Sequence, residues 1–252
     1  MDFKNKTVLI TGGSRGIGRA IAIAFAKRGA KVAINFRTNN EAASETVTLL
    51  EGDGHFAIKA SIDHPKSVKK MVDAVVKEFG HLDILVNNAG IFEAHPIDDT
   101  SYENWQEAWK KTMEVNLFGA ANISFCAAQH MIKRNSGRII NVSSRGAFRG
   151  EPDHPAYGAS KAGMNAMSQS LAQALAKYNI YVGIVAPGFV ETDMAKTFLE
   201  GPKGEAIRKQ SPLNRVAQPE DVAHAVLFLA SEGAEFSTGT IIDVNGASYL
   251  RS

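Results

Sequence analysis

The chain has 252 residues, 44% of them hydrophobic and 21% charged, with a net charge of +2. This is an ordinary composition for a soluble globular protein, and the length allows one large α/β domain or two small ones. The near-balanced charge gives no electrostatic case for a nucleic-acid or anionic-membrane partner, and no apolar run approaches the ~20 residues of a membrane span.

The N-terminus, MDFKNKTVLITGG, has no basic segment leading into an apolar core, so no signal peptide is read and a cytoplasmic location is expected. Strand-like and helix-like segments then alternate to the end. Strands are predicted over 6–11, 31–36, 55–60, 83–86, 137–143, 180–186 and 240–244. Helices are predicted over 16–28, 40–51, 65–79, 102–134 in two pieces, 156–178 and 220–231. Continuous apolar strands between helices predict an α/β fold, a doubly wound parallel sheet with helices on both faces, in a single domain spanning 1–252. Cys126 is the only cysteine, which excludes an intrachain disulfide; with Ser124, Phe125, Ala127 and Ala128 it reads as part of a buried helix face.

The first strand runs into Thr11-Gly-Gly-Ser-Arg-Gly-Ile-Gly18, which opens a helix. Gly12, Gly16 and Gly18 would permit a tight turn, close approach to a pyrophosphate and close helix–strand packing, with the helix N-terminus favouring the negative charge. The spacing does not end in Lys-Ser/Thr, which argues against a nucleoside-triphosphate loop. The second strand ends Asn35-Phe36-Arg37-Thr38, with no carboxylate to accept from a ribose 2′-hydroxyl. Arg15 and Arg37 could instead clamp a 2′-phosphate, which favours NADP over NAD; otherwise both are solvated surface. Asn87-Asn-Ala-Gly90 ends the fourth strand and suits either a cofactor crevice or an ordinary turn. Asn116 lies inside a helical pattern, where its amide could hold a water or a backbone carbonyl at a kink.

Ser144 ends the fifth strand and could polarise a substrate carbonyl; no Gly-x-Ser-x-Gly elbow marks it as a nucleophile. Tyr157 and Lys161, one helical turn apart, share a helix face. A phenol titrates near ~10, and bringing it to about 7 takes roughly 4 kcal/mol. The ammonium would supply part of that, and a second fixed cation such as an oxidised nicotinamide would help. After the sixth strand, Pro187-Gly-Phe-Val-Glu-Thr192 offers Thr192 to a cofactor, and the polar stretch 193–212 reads as a lid over the substrate. The seven histidines show no metal-ligand spacing, so no metal is expected.

Taken in order, Thr11-Gly-x-x-x-Gly-x-Gly18, Asn87-Asn-Ala-Gly90, Asn116, Ser144, Tyr157-x-x-x-Lys161, Pro187-Gly188 and Thr192 resemble the classical short-chain dehydrogenase/reductase family. The resemblance covers nearly the whole chain. It implies a Rossmann-type fold of seven parallel strands, an NADP(H) or NAD cofactor and a homotetramer. It also implies roles. Tyr157 is the general acid and base, Lys161 lowers its pKa and binds the nicotinamide ribose, Ser144 polarises the carbonyl, and Asn116 anchors a relay water. The cofactor would be held by Gly12, Ser14, Arg15, Gly16, Ile17, Gly18, Arg37, Thr38, Ser61, Ile62, Asn88, Ala89, Gly90, Tyr157, Lys161, Pro187, Gly188, Val190 and Thr192.

Within that family the chain looks most like the 3-oxoacyl-[acyl-carrier-protein] reductase group. This implies reduction of a ketone to a secondary alcohol, with a 3-oxoacyl thioester as candidate substrate and acyl carrier protein as candidate partner. The alternative is an NAD(P)-dependent alcohol, sugar or polyol dehydrogenase working oxidatively. Asn135 and Tyr178 stand where carrier-docking arginines are usual, beside Arg134 and Lys177, and Ser61 replaces an adenine-binding Asp. Gly183 replaces a common Asn, and the stretch from Gly90 to Trp109 is a few residues long. Arg145, Arg149 and His154 either face the pocket, favouring a polar or anionic substrate, or line an outer rim.

Overall fold

The protein is described over residues 1–251 by a computed structural model. Seven strands, β1 (Thr7–Ile10), β2 (Lys31–Phe36), β3 (Phe56–Lys59), β4 (Ile84–Asn87), β5 (Gly137–Val142), β6 (Ile180–Pro187) and β7 (Ile241–Val244), form one parallel sheet in the order β3-β2-β1-β4-β5-β6-β7. The helices are α1 (Gly16–Ala26), α2 (Asn40–Thr48), α3 (Pro65–Phe79), α4 (Tyr102–Met113), α5 (Ala120–Arg134), α6 (Gly146–Arg149), α7 (Pro155–Leu175), α8 (Asp193–Glu200), α9 (Gly204–Arg208) and α10 (Pro219–Ala230).

Side chains of a strand alternate between faces, and the sheet buries both. In β1, Val8 and Ile10 join a core with Ile21 and Phe25 of α1 and Val226 and Leu227 of α10. Leu9, between them, joins the opposite core with Val72 of α3 and Ile123 and Met131 of α5. Each fully buried Leu or Ile contributes about 1.5–3 kcal/mol, so central strands with no polar face are strongly held in register.

Three departures from the sequence reading matter for the site. First, α4 and α5 are not two abutting α-helices; a π-helical turn, Glu114–Gly119, joins them. Second, α6, α8 and α9 are short helices that the apolar periodicity did not reveal. Third, Phe125 is 65% exposed, whereas Cys126 is half-buried and free. The buried stripe of α5 runs through Ser124, Ala127, Ala128 and Met131, and Phe125 falls a residue off it.

The strand order reverses between β1 and β4, leaving a crevice at their carboxyl ends. The α1 N-terminus packs hard into that crevice. A Cβ at Gly18 would lie 2.2 Å from the Gly12 carbonyl oxygen and 2.6 Å from Asn88 Nδ2. Gly18→Ala should therefore push α1 off the turn. Urea unfolding should show a loss of about 1–3 kcal/mol, and NADPH titration should show at least about tenfold weaker binding.

Candidate active site

The carboxyl ends of the strands open onto a cleft of about 550 Å³. Every cofactor residue expected from the sequence, from Gly12 through Thr192, lines it, together with Ser144, Tyr157 and Lys161.

At the adenosine end, Arg15 and Arg37 are exposed and make no ion pair among the described residues. The glycine turn between them is fixed from behind. Arg19 Nη2 donates to the Ser14 carbonyl at 2.9 Å and to Glu45 at 2.8 Å, and its Nε donates to Thr46 Oγ1 at 2.9 Å. Asn35 is buried and spends its Nδ2 on carbonyls of Phe36, Ile58 and Ala60. Ser61 donates its hydroxyl to Asp63, and both line the cleft. A carboxylate thus stands on the cleft wall two residues after position 61.

The crevice edges are laced by Thr11. Its hydroxyl accepts from the backbone N–H of Asn88 (3.0 Å) and of Ala89 (3.1 Å). The Asn88 amide returns donors to the carbonyls of Thr11 (2.9 Å) and Gly12 (3.2 Å). Behind it, Asn87 donates to Ser124 and to Asn141, and Asn141 donates to Ser168, a buried polar chain joining β4, β5, α5 and α7.

Asn116 is fully buried in the π turn and lies outside the cleft wall. It grips a backbone segment. Its Oδ1 accepts from Ile91 N–H at 2.8 Å, and its Nδ2 donates to the Ile91 carbonyl at 3.0 Å and to Ser160 Oγ at 3.2 Å. Gly90 threads between this amide and Lys161: a Cβ there would sit 3.2 Å from Asn116 Oδ1 and 3.6 Å from Lys161 Nζ.

Lys161 Nζ is 3% exposed at residue level and donates to the Val142 carbonyl at 2.8 Å. It lies 5.8 Å from the centre of the Tyr157 ring. Burial lowers its pKa to about 8. Burial likewise pushes Tyr157 up to about 12, opposed by the adjacent Ser144 hydroxyl and reinforced by the Glu151 charge. Desolvation therefore dominates the phenol, with Ser144 the one group that opposes it. The Ser144 oxygen accepts from the Gly146 N–H at 3.0 Å, which leaves its proton to donate.

The N-terminus of α7, which carries Tyr157, is capped from a distance. His95, 2% exposed, accepts the Ala156 N–H on Nε2 at 3.1 Å. That assigns its ring proton to Nδ1, which donates to the Glu93 carbonyl at 2.8 Å. The long stretch after Gly90 thus clamps the start of α7, which carries Tyr157 and Lys161. His95 carried no signal in the sequence beyond that added length.

Arg145, Arg149 and His154 divide differently from the expectation that they act together. Arg145 is buried, donating to Gln210 Oε1 at 2.7 Å and to Ser248, with its guanidinium 5.1 Å over Phe189. Burial lowers its pKa to about 10. It ties the loop after Ser144 to the 193–212 stretch and to the C-terminal segment. Arg149 is exposed outside the cleft wall. His154 is buried, stacked on Phe92 at 3.7 Å, and burial lowers its pKa.

Among the described residues no cluster of His, Cys, Asp and Glu could hold a metal, and no helix is long and apolar enough to cross a membrane.

A parallel sheet with a glycine turn at its switch point and a Ser/Tyr/Lys set beside it defines a dinucleotide-binding oxidoreductase. A family model described as enoyl-(acyl carrier protein) reductase matches residues 12–247. The chain is 40% identical over 247 residues to 3-oxoacyl-[acyl-carrier-protein] reductase FabG of Staphylococcus aureus, covering 97% of this chain and 98% of that protein. It is 39% identical to the Vibrio cholerae protein of the same name, covering 99% and 100%. A short-chain dehydrogenase from Burkholderia cenocepacia in complex with NADP superposes with a TM-score of 0.88 at 36% identity, covering 98% and 99%. The chain belongs to the short-chain dehydrogenase/reductase family.

The buried Lys161 yields a pH signature in the cofactor-free protein. Its folded pKa of about 8 lies below the ordinary 10.5. Below the folded value the native state bears a buried charge that the unfolded chain solvates, and as pH rises from there towards the unfolded value this cost disappears. Raising the pH from 7 to 9.5 should add about 2 kcal/mol to wild-type stability through this group. Urea unfolding of Lys161→Met at the same two pH values should lack that increment.

Proposed function

We propose that the protein reduces a ketone to a secondary alcohol with NADPH, Tyr157 giving the proton. The observation that carries this reading is the convergence of two hydroxyls, Ser144 and Tyr157, on one point of the cleft wall beside the buried Lys161 ammonium. Two donors aimed at one oxygen suit a carbonyl that gains negative charge as hydride arrives; they favour a ketone over the enoyl chemistry named in the family description. The bound nicotinamide supplies the hydride. Ser144 orients and polarises the carbonyl, Tyr157 protonates the nascent alkoxide, and the Lys161 charge stabilises the phenolate left behind. Asn116 and Ile91 hold the strip that passes beneath the site. Met194 and Phe198 of α8 line the cleft, which supports residues 193–212 as its cover.

NADPH is favoured by Arg15 and Arg37, guanidinium groups with no carboxylate partner among the described residues, at the end of the cleft where a 2′-phosphate would lie. The named activity of the Staphylococcus and Vibrio relatives makes a 3-oxoacyl thioester the first substrate to test. Delivery by a carrier protein finds less support. Arg134 is engaged by Asp83 at 3.0 Å, and Lys177 lies 5.1 Å over the Tyr178 ring.

Steady-state oxidation of NADPH and NADH, with an acetoacetyl thioester and a panel of small ketones, tests both parts. Ketone-dependent NADPH oxidation should fall by about 10²–10⁴-fold in Tyr157→Phe; wild-type rates in that variant would remove the assigned acid. Arg37→Ala should raise the KM for NADPH by about tenfold and leave that for NADH within about twofold, as expected for the loss of a charged contact worth ~1.5 kcal/mol. An unchanged NADPH preference would overturn the 2′-phosphate assignment.

A further inference from the structure

Glu151 is a half-buried acidic side chain at the substrate end of the cleft, where the other acidic residue of the wall, Asp193, is exposed, and no hydrogen bond or ion pair among the described residues engages the Glu151 carboxylate. It lines the cleft with Ser144, Arg145 and Tyr157. Its position is fixed by backbone on two sides. Its carbonyl accepts the His154 N–H at 2.9 Å. A Cβ on Gly146 would lie 2.8 Å from its Oε1, so the bare α-carbon of α6 is what lets the carboxylate lie there. A Cβ on Gly158 would come within 3.8 Å of its backbone nitrogen, which places it against the turn of α7 that carries Tyr157. Burial raises its pKa, and the charges of Arg149 and Arg145 oppose that shift without closing an ion pair.

An ionised carboxylate only accepts hydrogen bonds, and a substrate that displaces water from a half-buried one without offering a donor leaves it unpaired. The facing wall is apolar. Phe92 meets Tyr157 edge-on at 4.7 Å, and Phe198 meets Phe92 at 5.9 Å. A ketone seated on Ser144 and Tyr157 therefore has both aromatic rings and an unpaired carboxylate acceptor on the walls around it. The donor is chosen by the neighbouring cations. An ammonium group would be repelled by Arg145 and Arg149, whereas a hydroxyl can donate to Glu151 without carrying charge.

We propose that Glu151 is a specificity-determining residue that accepts a hydrogen bond from a substrate hydroxyl, so that the preferred substrate is a hydroxylated ketone. This rests on the cleft being a site of NADPH-dependent ketone reduction. Discrimination comes from the acceptor that an unhydroxylated ketone leaves unpaired.

The test compares isosteric pairs, 1-hydroxy-2-butanone with 3-pentanone and 4-hydroxy-2-butanone with 2-pentanone, in the wild type and in Glu151→Leu, which has no acceptor. The wild type should favour the hydroxy ketone of at least one pair by about tenfold or more in kcat/KM, and the ratio should collapse towards unity in Glu151→Leu, mainly through KM. A wild-type ratio near unity in both pairs, or a preference that survives in Glu151→Leu, would overturn the assignment. If no ketone is turned over, the reductase reading fails on its own account. Calorimetric titration of 1,2-butanediol and 1,3-butanediol into the chain with NADP⁺ then decides the role of Glu151. Binding by the wild type that is lost in Glu151→Leu supports it, and identical or absent binding in both overturns it.

Discussion

The geometry of this protein hangs on a single hydroxyl. Thr11 Oγ1, 1% exposed as a residue, accepts two consecutive backbone N–H groups from the segment after β4. These donors are consecutive in one loop, and unpaired they would be costly to bury. One oxygen satisfies both and so fixes the spacing between the glycine turn and the Asn87–Gly90 strip. The Asn88 amide locks the same junction from the other side. The crevice is built before anything binds in it, and the order of placement follows from it: the strip fixes Ile91, Ile91 takes up Asn116, and Asn116 reaches Ser160, one residue from Lys161.

Burial sets the protonation preferences of the site. It holds the phenol neutral, the form that can give a proton, and weakens the hold on the lysine proton. Both shifts share one cause, the removal of water, which disfavours whichever form carries charge. A charge brought into the same space moves both pKa values in one direction, a cation lowering both and an anion raising both. The phenol and the ammonium are therefore tuned against each other, and keeping Lys161 charged costs some stability.

Much of the fold was legible because central strands buried on both faces must be apolar throughout, while the helices between them show a clear 3.6 period. The meeting of the glycine turn, the Tyr157/Lys161 pair and Ser144 at one cleft was legible because each is placed by spacing along one element or at one strand end. What stayed hidden was long-range. Arg19 fixes the glycine turn through α2, Asn141 reaches Ser168, and His95 caps a helix that begins sixty residues later. Arg145 lines the cleft, one of the two placements its position allows, but the acceptors that hold it, Gln210 and Ser248, lie far along the chain. A linear pattern carries no trace of partners that only tertiary folding brings together.

The π turn at Glu114–Gly119 has a bearing on how this chain can change over evolution. A π turn seats one residue more than an α turn between the same flanking coils. The two helices it joins are thus in phase with a chain one residue shorter. Point substitution at Asn116 alters one side chain. Removing one residue from the turn would instead restore a continuous α-helix and swing the amide about 100° around the axis, away from Ile91. The buried stripe of α5 could keep its place while the support beneath the catalytic lysine was lost. In this lineage a change of length, with every motif residue retained, is a route by which the fold could persist after the chemistry had gone.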